Sequence, residues 1–121
     1  MGFSTILAKV EADQAVALRQ VRAILARIGP VARGQPASLH LQSPRDFGAT
    51  NIYIFMASDC PDKWQVSYSD WRGEPVGHEY RSNLYNAIAS VVGLYLDGQD
   101  MPLGHCSDGY ILVDFKVRKP E

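Results

Sequence analysis

The hydrophobic pattern of this chain changes its period near residue 30, and that change constrains the fold more than any other feature. Up to Ile28, apolar residues recur at alternating steps of three and four, the spacing of an amphipathic helix. Beyond the connector GPVARGQP, apolar and polar residues alternate, which is typical of half-buried strands. We therefore predict a helix from Ser4 to Ile28 that ends at Gly29 and Pro30, with a short strand over 3–8 as the alternative for its first turns.

Three segments after the connector have the period of strands: ASLHLQ, TNIYIFMA and KWQVSYSD. The alternation predicts that Leu39 and Leu41 face the core in the first segment, and Trp64, Val66 and Tyr68 in the third. The second segment is apolar on both faces, which predicts a strand that is central in its sheet or covered on both sides. VGHEYR is a fourth candidate, which Pro75 and Gly77 weaken because both residues disfavour strand interiors.

A second helix is predicted to begin at a Ser82 or Asn83 cap and to run to Asp97, with Gly98 as its stop. No charged side chain lies between those ends, so the helix needs cover on both sides, from the sheet and from either the first helix or a second subunit. A last strand, YILVDFKV, is predicted to point Ile111, Val113, Phe115 and Val117 inward. The sequence thus predicts one α+β domain over residues 1–121, a two-layer sandwich in the order α-β-β-β-(β)-α-β.

Length and composition agree with an ordinary globular domain in a reducing compartment. A chain of 121 residues matches the common size of a single domain. Two cysteines, Cys60 and Cys106, make a poor disulfide framework, so we expect free thiols and a cytoplasmic location. The first residues lack the cleavage pattern of a signal peptide, and the longest uncharged stretch, 82–96, is too short to cross a bilayer. We expect no membrane association.

Charge is divided unevenly, and this asymmetry supports a nucleic-acid-binding alternative. Residues 1–45 hold six basic and two acidic residues, a net charge of +4, whereas residues 46–121 carry a net charge of −5. Residues 63–88, with the pattern W-x-V-x-Y-x-D-x-x-G, resemble the arm-binding domains of phage-type integrases, but over residues 59–81 five acidic residues outnumber three basic ones. Because phosphate contacts need surplus Lys and Arg, the candidate nucleic-acid-binding residues are instead Arg19, Arg22, Arg27, Arg33 and Arg45.

Candidate chemistry is sparse, and we expect no catalytic residue, metal site or cofactor. His105, Cys106 and Asp108 are the densest reactive cluster, but neighbouring side chains in an extended chain point apart, so His105 cannot easily serve Cys106 as a base. The same three residues lack paired zinc-ligand spacing. No glycine cluster lies between a strand and a helix as a phosphate-binding loop requires. An enzyme using the loop 98–109 is the weakest alternative.

Association with another protein has the most support from the residues. The apolar stripe of the first helix fits a heptad pattern over about three repeats, interrupted by Gln14. Trp71 lies at a predicted hairpin tip, where a large aromatic either folds back on the core or anchors a partner. We predict a protein-interaction module of the adaptor or inhibitor type that forms a homodimer. Its candidate interface residues are Val10, Ala17, Val21, Ile24, Ile28 and Trp71.

Overall fold

The computed structural model describes residues 2–31, 35–43, 50–57, 60–96, 102 and 109–117, with side chains described from residue 8 onward. It confirms the predicted α+β order and resolves the doubtful fourth strand as a full member of the sheet. The elements in chain order are α1 (Gly2–Ile28), β1 (Ala37–Gln42), β2 (Asn51–Met56), β3 (Trp64–Ser69), β4 (Pro75–Arg81), α2 (Leu84–Val91) and β5 (Ile111–Val117).

The strands form one antiparallel sheet in the order β4-β3-β2-β1-β5. The strand β2 is therefore central, as its apolar character predicted. Paired residues lie on the same face of an antiparallel sheet, and the register places Ile54 opposite both Leu39 and Val66. These three side chains are buried in one core cluster together with the apolar side of both helices. Both helices thus cover the same face, which we call the covered face.

The helix α1 ends where the sequence predicted, and its apolar stripe is part of the core. Gly29 adopts φ 72°, and its N–H donates to the Leu25 carbonyl at 3.0 Å, which closes the last turn in the left-handed conformation that glycine favours. Gln14, the polar interruption of the stripe, is satisfied: its Nε2 donates to the Gly93 carbonyl at 3.0 Å. In the part of the chain that the structure describes, no helix is long and apolar enough to cross a membrane.

The helix α2 begins at the predicted Asn83 cap but ends six residues before Asp97. The Asn83 Oδ1 accepts a hydrogen bond from the Asn86 N–H at 2.8 Å. At the other end Gly93 has φ 84°, and the Leu94 N–H donates to the Ala89 carbonyl at 2.8 Å, the bonding of a Schellman motif. The prediction of Gly98 as the stop was therefore wrong, because Gly93 already supplies the left-handed residue.

The short α2 needs no second subunit as cover. Its residues Ala87 to Val91 are buried, and they pack against α1 as well as against β2, β3 and β4. The buried Arg81 joins β4 to this helix, because its Nη2 donates to the Ser90 Oγ at 3.1 Å. Of the two sources of cover that the sequence left open, the first helix and a second subunit, the first helix supplies it within one chain.

In the strand β5 a second prediction was wrong, because a bulge changes which face of the sheet the residues before Asp114 point to. Leu39 pairs with Phe115 and Leu41 with Leu112, so one extra residue, Val113, is accommodated between them. Phe115 and Val117 pack against the core as predicted, together with Leu112. Ile111 and Val113, which were predicted to point inward, are instead 54% and 47% exposed.

Candidate functional site

The face of the sheet opposite the helices carries polar and aromatic side chains, and no described helix or strand packs on it. We call it the open face. The register assigns its members from all five strands. They are Ser38, His40 and Gln42 from β1; Asn51, Tyr53 and Phe55 from β2; Gln65, Ser67 and Ser69 from β3; Pro75, His78 and Tyr80 from β4; and Ile111, Asp114 and Lys116 from β5.

A stacked pair of rings lies near the centre of the open face. The His40 and Tyr53 rings are nearly parallel, at 17°, with centroids 4.4 Å apart, because the two residues are directly opposite on β1 and β2. The His40 Nε2 lies 2.8 Å from the Asn51 Oδ1, which also accepts a hydrogen bond from the Gln42 Nε2. Since the amide oxygen is an acceptor, the imidazole forms this hydrogen bond in the tautomer that carries a proton on Nε2. The stack is therefore held in position by side-chain hydrogen bonds.

The strands β3 and β4 place smaller and aromatic residues beside this stack. Ser67 lies between Tyr53 and His78 in one row across three strands. In the next row, Tyr80 lies opposite Gln65, and the Lys63 Nζ sits 4.4 Å from the centroid of the Tyr80 ring. This distance is within the range of a cation–π interaction. The open face thus combines exposed rings with hydroxyl and amide groups.

Charge is scarce on the open face. Among the strand positions that define it, Asp114 is the one carboxylate, and the Lys116 Nζ lies 3.6 Å from its Oδ2. Lys63 lies beside the opposite edge strand. Interfaces between proteins have fewer charged residues at their centre than the rest of the surface and more aromatic residues. The open face has this composition.

A second exposed feature is the turn between β3 and β4, the hairpin tip (Asp70–Glu74). The Asp70 Oδ1 accepts hydrogen bonds from the N–H groups of Arg72 and Glu74, each at 2.9 Å. Backbone bonds also join Asp70 to Gly73 and Glu74, and Gly73 has φ 83°. Asp at the first position and a glycine with positive φ are the residues that such a turn favours, so its backbone is locked by local bonds.

Trp71 extends from this locked turn into solvent. It is 65% exposed, whereas Trp64 is buried in the core. The Arg72 guanidinium lies 4.7 Å from the centroid of the Trp71 ring and stacks against it. The Trp71 ring therefore leaves a large apolar area in contact with water, and it does not fold back on the core of its own chain. The hairpin tip is therefore the most anchor-like feature on the described surface.

The other predicted interface residues are placed differently. Ala17, Val21, Ile24 and Ile28 are buried in the core of the single chain, so they are not accessible to a partner while the chain is folded. Val10 is 50% exposed. It lines an open groove of about 870 Å³ between α1 and the segment that follows α2, together with Leu18, Leu94 and Tyr95.

The candidates for nucleic-acid binding and catalysis are only partly described. Arg19, Arg22 and Arg27 are exposed on α1, whereas Arg33 and Arg45 lie outside the described residues. His105, Cys106 and Asp108 also lie outside them, so the structure says nothing of the 98–109 loop beyond Gly109 and Pro102. Cys60 is an exposed free thiol. No group of three or more metal-ligating residues occurs within the described ranges.

The open face was not predicted as a site from the sequence. Tyr53 and Phe55 were assigned to the second face of a strand that is central in its sheet or covered on both sides, and no described helix or strand packs on that face. A signal was present, because the outward positions of the flanking segments are Ser38, His40 and Gln42 on one side and Gln65 and Ser67 on the other. Polar neighbours on both sides indicate a solvated face. No protein-family model, curated protein or solved structure matches this chain.

Proposed function

We propose that this chain is a non-enzymatic protein-binding module of the adaptor or inhibitor type, which contacts its partner through the hairpin tip. One observation carries the proposal: Trp71 is 65% exposed on a turn that is locked by its own hydrogen bonds. A residue of this kind enters a partner's pocket with little loss of conformational freedom, because the turn is already ordered before binding.

The chemistry of the hairpin tip suggests what such a partner offers. Tryptophan and arginine are the residues most enriched among those that contribute most to binding energy. Trp71 needs an apolar pocket, and Arg72, stacked on its ring, favours a carbonyl or carboxylate at the rim of that pocket. Val76 is exposed on the adjoining strand and extends the apolar area.

Affinity capture from the source cell, with nuclease treatment, tests the proposal. The baits are the wild-type chain, Trp71→Ala and Tyr85→Ala, whose ring is also exposed but lies on α2. We expect the same proteins on wild type and Tyr85→Ala, and their affinity for Trp71→Ala to be weaker by about 2 kcal/mol, roughly 30-fold. Equal capture by all three chains would reject the hairpin tip as the binding surface.

Nucleic-acid binding by α1 is the second candidate, and one observation favours it. Arg19, Arg22 and Arg27 are all exposed, and no acidic residue occurs from Gln14 to Val31. Fluorescence anisotropy with duplex and single-stranded oligonucleotides at low and high salt tests this candidate. Micromolar binding that weakens steeply with salt, and that Arg19→Gln with Arg22→Gln abolishes, would replace the protein-binding proposal.

A homodimer and a cytoplasmic location complete the proposal. Because the core absorbs most of the apolar stripe, the dimer interface that we propose on α1 centres on Val10 and the groove beside it. The exposed thiol of Cys60 is compatible with a reducing compartment. Light scattering after size exclusion measures the mass of wild type and of Val10→Glu. A wild-type monomer at high micromolar concentration would reject the dimer.

A further inference from the structure

We infer that the hairpin tip of one chain docks into a second copy of the same chain, and that the two copies do so reciprocally. The tip enters the groove between α1 and the segment that follows α2, which we call the α1 groove. The inference rests on the proposed function, because it names one partner of the hairpin tip. Two surfaces of the chain, an exposed ring and an open apolar groove, thereby form a single contact.

The α1 groove has the size and the lining that a tryptophan ring needs. Its volume of about 870 Å³ lies in the range of pockets that take small organic molecules, about 300–1,000 Å³. Val10 and Tyr95, which line it, are 50% and 49% exposed, whereas Trp71, at 65%, is the most exposed of the described large hydrophobic side chains. Insertion of the ring removes apolar area of both surfaces from water, which favours association.

The charges of the two surfaces are complementary. Arg72 is the one cation of the hairpin tip, and Glu11 is the one charged residue among the described residues that line the α1 groove. Within the described part of the chain, neither of them forms a salt bridge. The Asp70 carboxylate is held by N–H groups of its own turn. A Trp71 ring in the groove brings the stacked Arg72 guanidinium toward Glu11 of the other copy.

The hairpin tip lies at one end of the sheet, and α1 reaches the same end. The last row of paired positions at that end holds one residue from each strand, namely Ile111, Gln42, Asn51, Ser69 and Pro75. The hairpin tip connects the last two. Gln20 of α1 bonds to the backbone of Tyr110, the residue before β5, at 3.5 Å to its carbonyl and at 3.2 Å from its N–H.

The direction of α1 places the groove at this end too. Ile28, the last residue of α1, lines a pocket with Leu84, which follows the end of β4 that is remote from the hairpin tip. The helix therefore runs away from the hairpin-tip end, and the residues before Gln20, including Val10 and Glu11, belong to that end. Two copies related by a two-fold axis there can each insert a tip into the other, which closes the assembly at a dimer.

A contact of this size predicts a weak dimer. An enclosed tryptophan buries about 150–250 Å², so two tips and two grooves together bury roughly 600–1,000 Å². Specific, stable interfaces bury about 1,200–2,000 Å². We therefore expect a dissociation constant in the micromolar range, so that another protein with a more enclosed pocket can displace the second copy from the hairpin tip.

Sedimentation equilibrium of the full chain at increasing concentration tests the inference. The variants are Trp71→Ala, Arg72→Glu, Glu11→Arg and the double variant that carries both charge changes. One control is Tyr85→Ala, which removes an exposed ring on α2 at the other end of the molecule. The second control is Glu74→Gln, which changes the charge of the same turn but leaves Arg72 and Glu11 in place.

We expect Trp71→Ala to remain monomeric at every concentration. Each single charge change should weaken the dimer at least about tenfold, because the contact occurs twice and an attraction becomes a repulsion. The double variant should dimerise again, since the exchanged charges attract. Tyr85→Ala should match wild type, and Glu74→Gln should not weaken the dimer. All the changed side chains are exposed, so circular dichroism should give wild-type melting temperatures.

A wild-type monomer at high micromolar concentration would overturn the inference. A dimer that Trp71→Ala leaves intact, or a double charge variant that stays monomeric, would overturn it too. The proposed function fails by another result, the equal capture of other proteins by wild type, Trp71→Ala and Tyr85→Ala. Loss of the dimer in Trp71→Ala with unchanged capture would thus reject the proposed function alone, and the converse would reject the inference alone.

Discussion

The central strand β2 presents aliphatic side chains to one face of the sheet and aromatic side chains to the other. Ile52 and Ile54 are buried beneath the helices, whereas Tyr53 is exposed on the open face and Phe55 is partly exposed. The two sets alternate along six residues of the same strand. Their difference therefore comes from what packs on each face and not from the strand itself.

This contrast separates stability from recognition. On the covered face, aliphatic side chains from β1, β2 and β3 interlock with α1 and α2, and burial of apolar area there is the main favourable contribution to folding. On the open face, rings and amides remain in contact with water, so their replacement changes few buried contacts. Residues on the open face can thus serve binding with little effect on the free energy of unfolding.

The largest expected effect is on the covered face of β2. Ile54→Ala removes a fully buried side chain and leaves a cavity, so we expect the free energy of unfolding to fall by about 2–5 kcal/mol. Tyr53→Thr, one residue away, should change it by less than about 1 kcal/mol, because threonine retains a high strand propensity. Urea denaturation followed by circular dichroism measures both. Similar losses in the two variants would contradict the division between the faces.

The bulge in β5 allows a sharper comparison within one edge strand. Leu112 packs against the core, whereas Val113 is largely exposed. Leu112→Ala should reduce the free energy of unfolding by about 1–2 kcal/mol, less than a fully buried leucine because its burial is partial. Val113→Ala should change it by no more than about 0.5 kcal/mol. The reverse order would show that β5 pairs with β1 without the bulge.

The smallest expected effect concerns Tyr68, at the margin of the covered face. Burial raises the pKa of its hydroxyl well above the ordinary value, although the Arg81 guanidinium acts in the opposite direction. The unfolded chain releases this proton near pH 10 whereas the folded chain retains it, so the free energy of unfolding falls as pH rises above about 10. Tyr68→Phe should reduce that alkaline loss in urea titrations at pH 8 and pH 11.

The hydroxyl of Tyr68 finds no hydrogen-bond partner among the described residues. At pH 8 we therefore expect Tyr68→Phe to match wild type within about 1 kcal/mol, because no buried bond is lost. A larger loss at pH 8 would mean that the hydroxyl is bonded.

Most of the fold could be predicted from local patterns, and two errors show where such patterns fail. The stop at Gly29 and the cap at Asn83 depend on bonds within a few residues, so the sequence contains their full cause. The end of α2 was misread because Gly93 stands within an apolar run, although its role is equally local. The predicted inward orientation of Ile111 and Val113 was wrong for another reason, since the bulge exists only in the pairing with β1.

The candidate sites divide in a similar way. Trp71 was identified from its position at a hairpin tip, and the structure places it in the open on a locked turn. Heptad spacing occurs in interface helices and also in helices that pack on their own sheet. The residues assigned to an interface on this spacing are instead buried in the core: Ala17, Val21, Ile24 and Ile28. Periodicity indicates that a face is buried but not what buries it. The stack of His40 on Tyr53 required the register between β1 and β2.

The sequence by itself determined the element types, their order, the caps and the inward residues of β1 and β3, because backbone geometry repeats every 3.6 or two residues and needs no distant partner. Tertiary structure alone decided that β4 and β5 form the edges and that Val113 is displaced from the core. These outcomes depend on contacts between residues far apart in the chain. It is those contacts that leave Tyr53 exposed and Ile54 buried on adjacent positions of one strand.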